Sequence, residues 1–124
     1  MLRHLLPITA LLIAGATAAH ADDTMTAAGK TAFGACRACH SVEKGKTGIG
    51  PSLYGIIGRK AGSVPGFTYS KAMTASGLTW DDAALDAFIT APQAKVPGTR
   101  MPYGGLKDAA KRQAVIAYLK TLHD

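Results

Sequence analysis

Two cysteines separated by two residues and followed at once by a histidine constrain this chain more than any other feature: Cys36-Arg37-Ala38-Cys39-His40. They are its only cysteines. Cys-x-x-Cys-His is the attachment signature of a c-type haem. Two thiols at this spacing can each form a thioether to one vinyl group of a porphyrin, and the adjacent imidazole can then reach the iron from the proximal side. Two other chemistries compete for such a pair. A structural zinc site needs four ligands, and beyond residue 21 the Cys and His residues are Cys36, Cys39, His40 and His123 alone. A thiol-disulfide exchanger would set its pair near a βαβ pattern, which is missing from this sequence. A disulfide across two residues closes too small a loop to add much stability.

The N-terminus has the pattern of a cleavable secretory leader. Arg3 and His4 precede an apolar run from Leu5 to Ala19, which ends in the small-residue triplet Ala19-His20-Ala21 before Asp22-Asp23. The run is short for a bilayer span and is interrupted by Pro7. Cleavage after Ala21 is expected, giving a leader over 1–21 and one domain over 22–124. No second apolar stretch is long enough to cross a bilayer. The mature product is therefore expected to be soluble and periplasmic, without a membrane anchor. At 103 residues it is small for a self-sufficient core, which points to something else filling its interior.

Without Arg3 the chain has 13 Lys and Arg against 8 Asp and Glu. A basic surface favours acidic partners and raises encounter rates through attraction that salt weakens. The lysines are scattered, from Lys30 to Lys120, with no basic run interleaved with stacking aromatics. Nucleic acid is thereby excluded as a partner.

Helical spacing joins Met25, Ala28, Ala32, Phe33 and Cys36, with Gly29 on the same side, and predicts an N-terminal helix running into the Cys motif. From Ser41 to Gly66 the chain is dense in glycine and proline and reads as loop. A short helix is expected over Ser70 to Ala75, stopped by Gly77. Thr79-Trp80-Asp81-Asp82 has the form of a capping arrangement, with Thr79 three residues before an acid. It predicts a helix from about Asp81 to Thr90, ended by Pro92, and one further turn over Pro92 to Val96. Asp108 is expected to cap a C-terminal helix with Val115, Tyr118, Leu119 and Leu122 on one face and Lys111, Arg112 and Lys120 on the other. No run of alternating β-branched residues occurs, so the fold is expected to be all-α with long ordered loops. Loops this long in a small domain imply that they wrap something.

A second axial ligand to a haem iron would decide what the site can do. Met25, Met73, Met101 and His123 are the candidates. Mobility at the ends argues against Met25 and His123, and Met73 on a short helix has the position of core filler. Met101 lies in Pro97-Gly98-Thr99-Arg100-Met101-Pro102, stiffened by proline at both ends. It is favoured, with Met73 still open. Met/His ligation closes both axial positions and raises the reduction potential.

The chain also resembles the class I cytochromes c, including the mitochondrial protein and the bacterial c2-type carriers. The likeness is carried by Gly29-Lys30 with Phe33, Gly50-Pro51-Ser52-Leu53, Gly58-Arg59-Lys60-Ala61-Gly62, Pro65-Gly66-Phe67-Thr68-Tyr69-Ser70, Leu78-Thr79-Trp80, Pro97-Gly98-Thr99-Arg100-Met101 and Ile116-Ala117-Tyr118-Leu119-Lys120, in the family's order. The resemblance implies a small cytochrome c fold, with crossing N- and C-terminal helices, shorter helices and long loops wrapped around one haem c bound through two thioethers. It also implies His40 and Met101 as metal ligands, Pro51 accepting a hydrogen bond from the far nitrogen of His40, and Arg59, Tyr69 and Trp80 around the inner propionate. Phe33, Leu53, Phe88 and Leu119 would pack on or just behind the porphyrin, and Gly29 would let the terminal helices cross close to Tyr118. The implied activity is that of a monomeric electron carrier, not an enzyme. Its partners would be the acidic docking faces of redox complexes: a quinol-oxidising complex, a terminal oxidase, a reaction centre or a periplasmic reductase. A redox enzyme or gas binder would need an open iron position, and no acid/base residue is recognisably placed for one.

Some positions depart from the family. Phe88 and Met73 stand where it often has Tyr and Asn, which implies a drier distal side. The ring of cations at the haem edge is thinner, with Arg37, Lys46, Lys95, Arg100 and Lys107 remaining, and Gln93, Ala94 and Asp108 in place of typical lysines.

Overall fold

The computed structural model describes residues 16–124; residues 1–15 of the expected leader lie outside them. Five α-helices occur in the order α1 (Ala16–Ala32), α2 (Lys71–Ala75), α3 (Asp82–Thr90), α4 (Pro92–Lys95) and α5 (Ala109–Leu119). A 3-10 turn, Phe33–Cys36, joins α1 to the Cys motif. Among the described residues the only β pairing is an isolated bridge between Lys60 and Thr79. The fold is all-α, as expected. α1 starts upstream of the predicted junction between Ala21 and Asp22, which therefore falls within it.

The helix starts follow local chemistry. Ser70 Oγ accepts from the Met73 N–H (3.1 Å) and starts α2. The Asp108 carboxylate accepts from the Lys111 N–H (3.0 Å) and starts α5. At α3 the expectation is corrected: the cap is Asp81, whose carboxylate accepts from the Ala84 N–H (2.8 Å). Thr79 is committed to extended backbone by its bridge to Lys60, and the Trp80 N–H donates to the Arg59 carbonyl (2.9 Å). A helix capped by Thr79 would need Trp80 as its first helical residue, and Trp80 is itself held in that pairing, its carbonyl accepting from the Gly58 N–H (2.8 Å). Ala91 then breaks the backbone between α3 and α4, where Pro92 takes the first position of the new turn.

The terminal helices cross at Gly29. A Cβ built there would collide with the Ala114 carbonyl oxygen and stand 2.9 Å from the Tyr118 Cβ. The approach is thus governed by the α5 backbone at Ala114 even more than by Tyr118. Phe33 is wholly buried beside it, edge-on to the Tyr118 ring at 5.5 Å. The buried stripe of α1 is narrower than its spacing suggested. Gly29 and Phe33 are buried, Ala32 and Cys36 pack at the margin, and Met25 and Ala28 face outward. α5 meets α1 at the Gly29 crossing, and Met25 and Ala28 lie outside that contact.

Arg112 also departs from expectation. Its side chain is only 12% exposed. It donates to the Asp86 carboxylate on α3 (2.8 Å) and to the carbonyls of Leu106 and Lys107 (both 3.0 Å). The segment returning from Met101 covers α5 at Arg112, whereas Lys111 and Lys120 are exposed as expected.

That crossing yields a test in which two effects of opposite sign compete. Gly29→Ala gains about 1 kcal/mol of helix propensity and loses about 1–3 kcal/mol to overpacking against an unyielding backbone. The clash is expected to win, lowering the stability found by chemical denaturation. Gly34→Ala, where a Cβ meets nothing within 4 Å, should leave it near the unsubstituted value. Equal stabilities for the two variants would contradict the close crossing.

Candidate haem-binding site

The loop after the Cys motif is pinned at short intervals and so forms a wall. The Gly50 N–H donates to the Cys39 carbonyl (2.8 Å), Leu53 N–H to Ser41 O (2.9 Å) and Gly55 N–H to Leu122 O (2.7 Å). The buried Ser52 hydroxyl donates to Glu43 O (2.6 Å) and accepts from the Tyr54 N–H (3.2 Å). Opposite this wall stand α3 and the Pro97–Met101 segment.

Between them lies a cavity of about 530 Å³, within the range of sites for cofactor-sized ligands. Cys39, His40, Pro51, Arg59, Tyr69, Trp80 and Met101 all border it. Seven of the eight residues singled out from sequence are thus brought together. The eighth, Cys36, lies just outside the wall, packed against the core. Leu53, Met73, Phe88 and Leu119 supply apolar lining, whereas Phe33 sits behind it. Trp80 and Phe88 pack together with ring centres 5.1 Å apart.

His40 Nδ1 is 2.8 Å from the Pro51 carbonyl oxygen. A carbonyl only accepts, so Nδ1 carries the proton and donates, leaving Nε2 with a lone pair. Gly50 makes room for the ring: a Cβ there would stand 2.5 Å from His40 Cε1. Both cysteine thiols are free. Burial, and then the neighbouring Cys39, push the Cys36 thiol up from its ordinary value and keep it neutral.

Arg59 is the electrostatic anomaly of the cavity. Its guanidinium donates to the carbonyls of Ser52 (2.9 Å) and Tyr54 (3.1 Å) and has no carboxylate partner among the described residues. Burial lowers its pKa, while the neighbouring Tyr69 phenol works in the opposite sense. Two of its five N–H donors are used, so three are left for an anion. The Tyr69 hydroxyl accepts from the Val64 N–H (3.1 Å) and keeps its own hydrogen to donate. The Trp80 indole, 6% exposed, has no hydrogen-bond partner among the described residues. A cavity with a partly buried cation and two spare donors suits an apolar ligand bearing a carboxylate.

The residues therefore fit a haem: two thiols, an imidazole held in the tautomer that can ligate, a thioether, an apolar box and donors for a propionate. One residue at the mouth escaped the sequence reading. Ile49 is 76% exposed and borders the cavity. Its only signal was being apolar in the glycine-rich stretch Gly48-Ile49-Gly50.

Comparison with known proteins agrees with this site. The family model described as cytochrome c matches residues 26–123. A cytochrome c2 iso-2 from Magnetospirillum fulvum is 54% identical over 91 residues, covering 73% of this chain and 95% of that protein. A cytochrome c2 from Rhodomicrobium vannielii is 46% identical over 117 residues, covering 94% and 92%. Among solved structures, cytochrome cH from Methylobacterium extorquens superposes with a TM-score of 0.74 at 48% identity, covering 77% of this chain and 97% of its own.

Proposed function

Because the chain belongs to the cytochrome c family of electron carriers, which are not enzymes and hold one covalently bound haem c, we propose that it is a soluble periplasmic shuttle, moving single electrons between larger redox complexes, with His40 and Met101 as the residues that would ligate the iron. The observation that carries the reading is one apolar cavity bordered by an imidazole with a directed lone pair, a thioether, and a guanidinium without a counter-charge.

When bound, the haem supplies reversible one-electron exchange between ferric and ferrous iron. Cys36 and Cys39 would tether it through thioethers. Pro51 holds the His40 ring and, by accepting its proton's hydrogen bond, makes Nε2 a better donor to a metal. Met101 would supply a weak, soft thioether ligand, which favours the reduced state and shuts out small molecules. Arg59 would neutralise the inner propionate, and Tyr69 and Trp80 would donate hydrogen bonds to it. Phe88, Met73 and Leu119 line the cavity with apolar surface, so little solvent would have to reorganise when the charge changes.

Docking would use the cations round the mouth. Arg37 and Lys95 are exposed with no ion pair among the described residues. Lys46 is shared with Glu43 at 3.3 Å, while Arg100 and Lys107 also donate to the carbonyls of Thr68 and Thr90. Arg100 borders the cavity, and Arg37 and Lys46 share the adjoining hollow with exposed Ile49, which gives an apolar spot flanked by cations. This suits the acidic face of a quinol-oxidising complex on one side and of a terminal oxidase, reaction centre or periplasmic reductase on the other. The working form is a monomer over 22–124, exported behind a leader at 1–21. No helix among the described residues is long and apolar enough to cross a membrane.

Three outcomes are expected. The product recovered from the periplasm of an expressing bacterium should have the mass of Asp22 to Asp124 plus one haem; a product retaining residues 1–21 or lacking the added mass would sink that part. Reduced Met101→Ala should take up carbon monoxide readily while the unsubstituted protein resists it; ready uptake by the unsubstituted protein would favour an open iron position. Oxidation by a small anionic oxidant should slow as ionic strength rises, and a flat dependence would rule out electrostatic docking at the rim.

A further inference from the structure

The segment that delivers Met101 to the cavity leaves α4 at Val96 and has little regular backbone pairing of its own. Within it, the Thr99 N–H donates to Val96 O (3.0 Å), and Met101 O accepts from the Tyr103 N–H (2.9 Å). The Gly98 N–H and the Thr99 carbonyl are both taken by one side chain. Gln93 Nε2 donates to Thr99 O at 2.7 Å, and Gln93 Oε1 accepts from the Gly98 N–H at 3.3 Å. Reversing the amide would set oxygen against oxygen and N–H against N–H, so this pairing fixes its orientation. Gln93 follows Pro92, which is fully buried, so the short turn that carries it is firmly seated. At the far end of the staple Thr99 is buried, two residues before Met101.

We propose that Gln93 is a positioning residue for Met101: its carboxamide staples the 98–99 turn to α4 and thereby holds the thioether in place against competing ligands. The proposal rests on the reading of Met101 as an axial ligand. A thioether is a weak ligand, so the work of keeping it in place falls on the backbone that carries it. The downstream flank has separate anchors, with the Leu106 N–H donating to Ile89 O (2.8 Å) and Arg112 donating to the carbonyls of Leu106 and Lys107. The upstream flank has Gln93, with Arg100 donating to Thr68 O (3.0 Å) beyond it. Gln93 itself is exposed and outside the core. Its removal therefore loosens one flank of one segment and leaves the packing of the fold alone.

Two hydrogen bonds of ordinary net strength correspond to about a tenfold change in how often the segment lets go. The test uses the haem-loaded, oxidised protein in three forms beside the unsubstituted one. Gln93→Leu has similar bulk and neither polar group. Gln93→Glu, ionised at neutral pH, keeps an acceptor for Gly98 but cannot donate to Thr99. Gln113→Leu replaces an exposed α5 glutamine with no hydrogen bond among the described residues and serves as the surface control. Imidazole titration reads access to the iron, the thioether-to-iron(III) charge-transfer absorption reads the Met101 bond, and denaturant unfolding reads global stability.

Gln93→Leu is expected to bind imidazole about tenfold more tightly and Gln93→Glu, which loses one of the two bonds, about threefold, both with a weakened charge-transfer absorption, while Gln113→Leu matches the unsubstituted protein. Should Gln93→Leu fail to fold, Gln93→Glu carries the expectation in the same direction. Imidazole affinity unchanged in both, even with a lower unfolding midpoint, would overturn the proposal while leaving Met101 as ligand. An equal rise in Gln113→Leu would overturn it as a generic effect. Absence of the charge-transfer absorption from the unsubstituted protein would overturn the ligand assignment and this proposal together.

Discussion

The long loops among the described residues contribute to the wall of one apolar cavity, and Ile56, Met73, Trp80, Leu85, Phe88 and Leu119 of the core border it. Left unfilled, the cavity of about 530 Å³ would leave the apolar side chains that line it without packing partners on one side. Aromatic packing of Trp80 on Phe88 and the α1–α5 crossing at Gly29 cannot make up such a deficit, because they lie beside the cavity and not in it. The haem of this family is therefore a structural element as much as a redox one. Folding and electron transfer draw on the same contacts.

That shared dependence explains the distribution of polar groups. In a cavity of low polarity each charge needs a partner. Arg59 has two backbone carbonyls and, among the described residues, no carboxylate, which is what its proposed role beside a haem propionate requires. His40 is oriented by a backbone carbonyl instead of a side chain, so its tautomer does not depend on another titrating group. On the opposite side, Met101 is carried by a segment tied at both flanks through side chains, Gln93 before it and Arg112 after it.

Much of this was legible in the sequence where the signal is local. The Cys motif, the Asp108 cap, the extent of α3 and the prolines bracketing Met101 all act over a few residues, and spacing reveals them. What escaped depends on chain segments far apart in sequence. Arg112 has the periodicity of a solvated helix face, yet the segment from Met101 to Lys107 folds over it and takes its donors. Thr79 and Asp81 are both plausible caps by type. A bridge to Lys60, nineteen residues earlier, decides between them. Met25 and Ala28 continue the apolar spacing of α1, but both are exposed, because the crossing with α5 is centred on Gly29. Ile49 acquires meaning only once the loop bearing it closes the mouth of the cavity. Apart from the Cys motif and Met101, the site residues were reached through family resemblance, since a proline, an arginine, a tyrosine and a tryptophan spread over Pro51 to Trp80 carry no spacing signal of their own.

The central claim is that the cofactor supplies the core, and its most direct test is hydrogen exchange with denaturant unfolding on the exported Cys36→Ser/Cys39→Ser double variant stripped of haem, beside the unsubstituted haem protein. The account predicts protected amides in α1, α3 and α5 with a sharp cooperative transition for the haem protein, and fast exchange without a cooperative transition for the stripped variant. Comparable protection and a comparable transition in the two would contradict it.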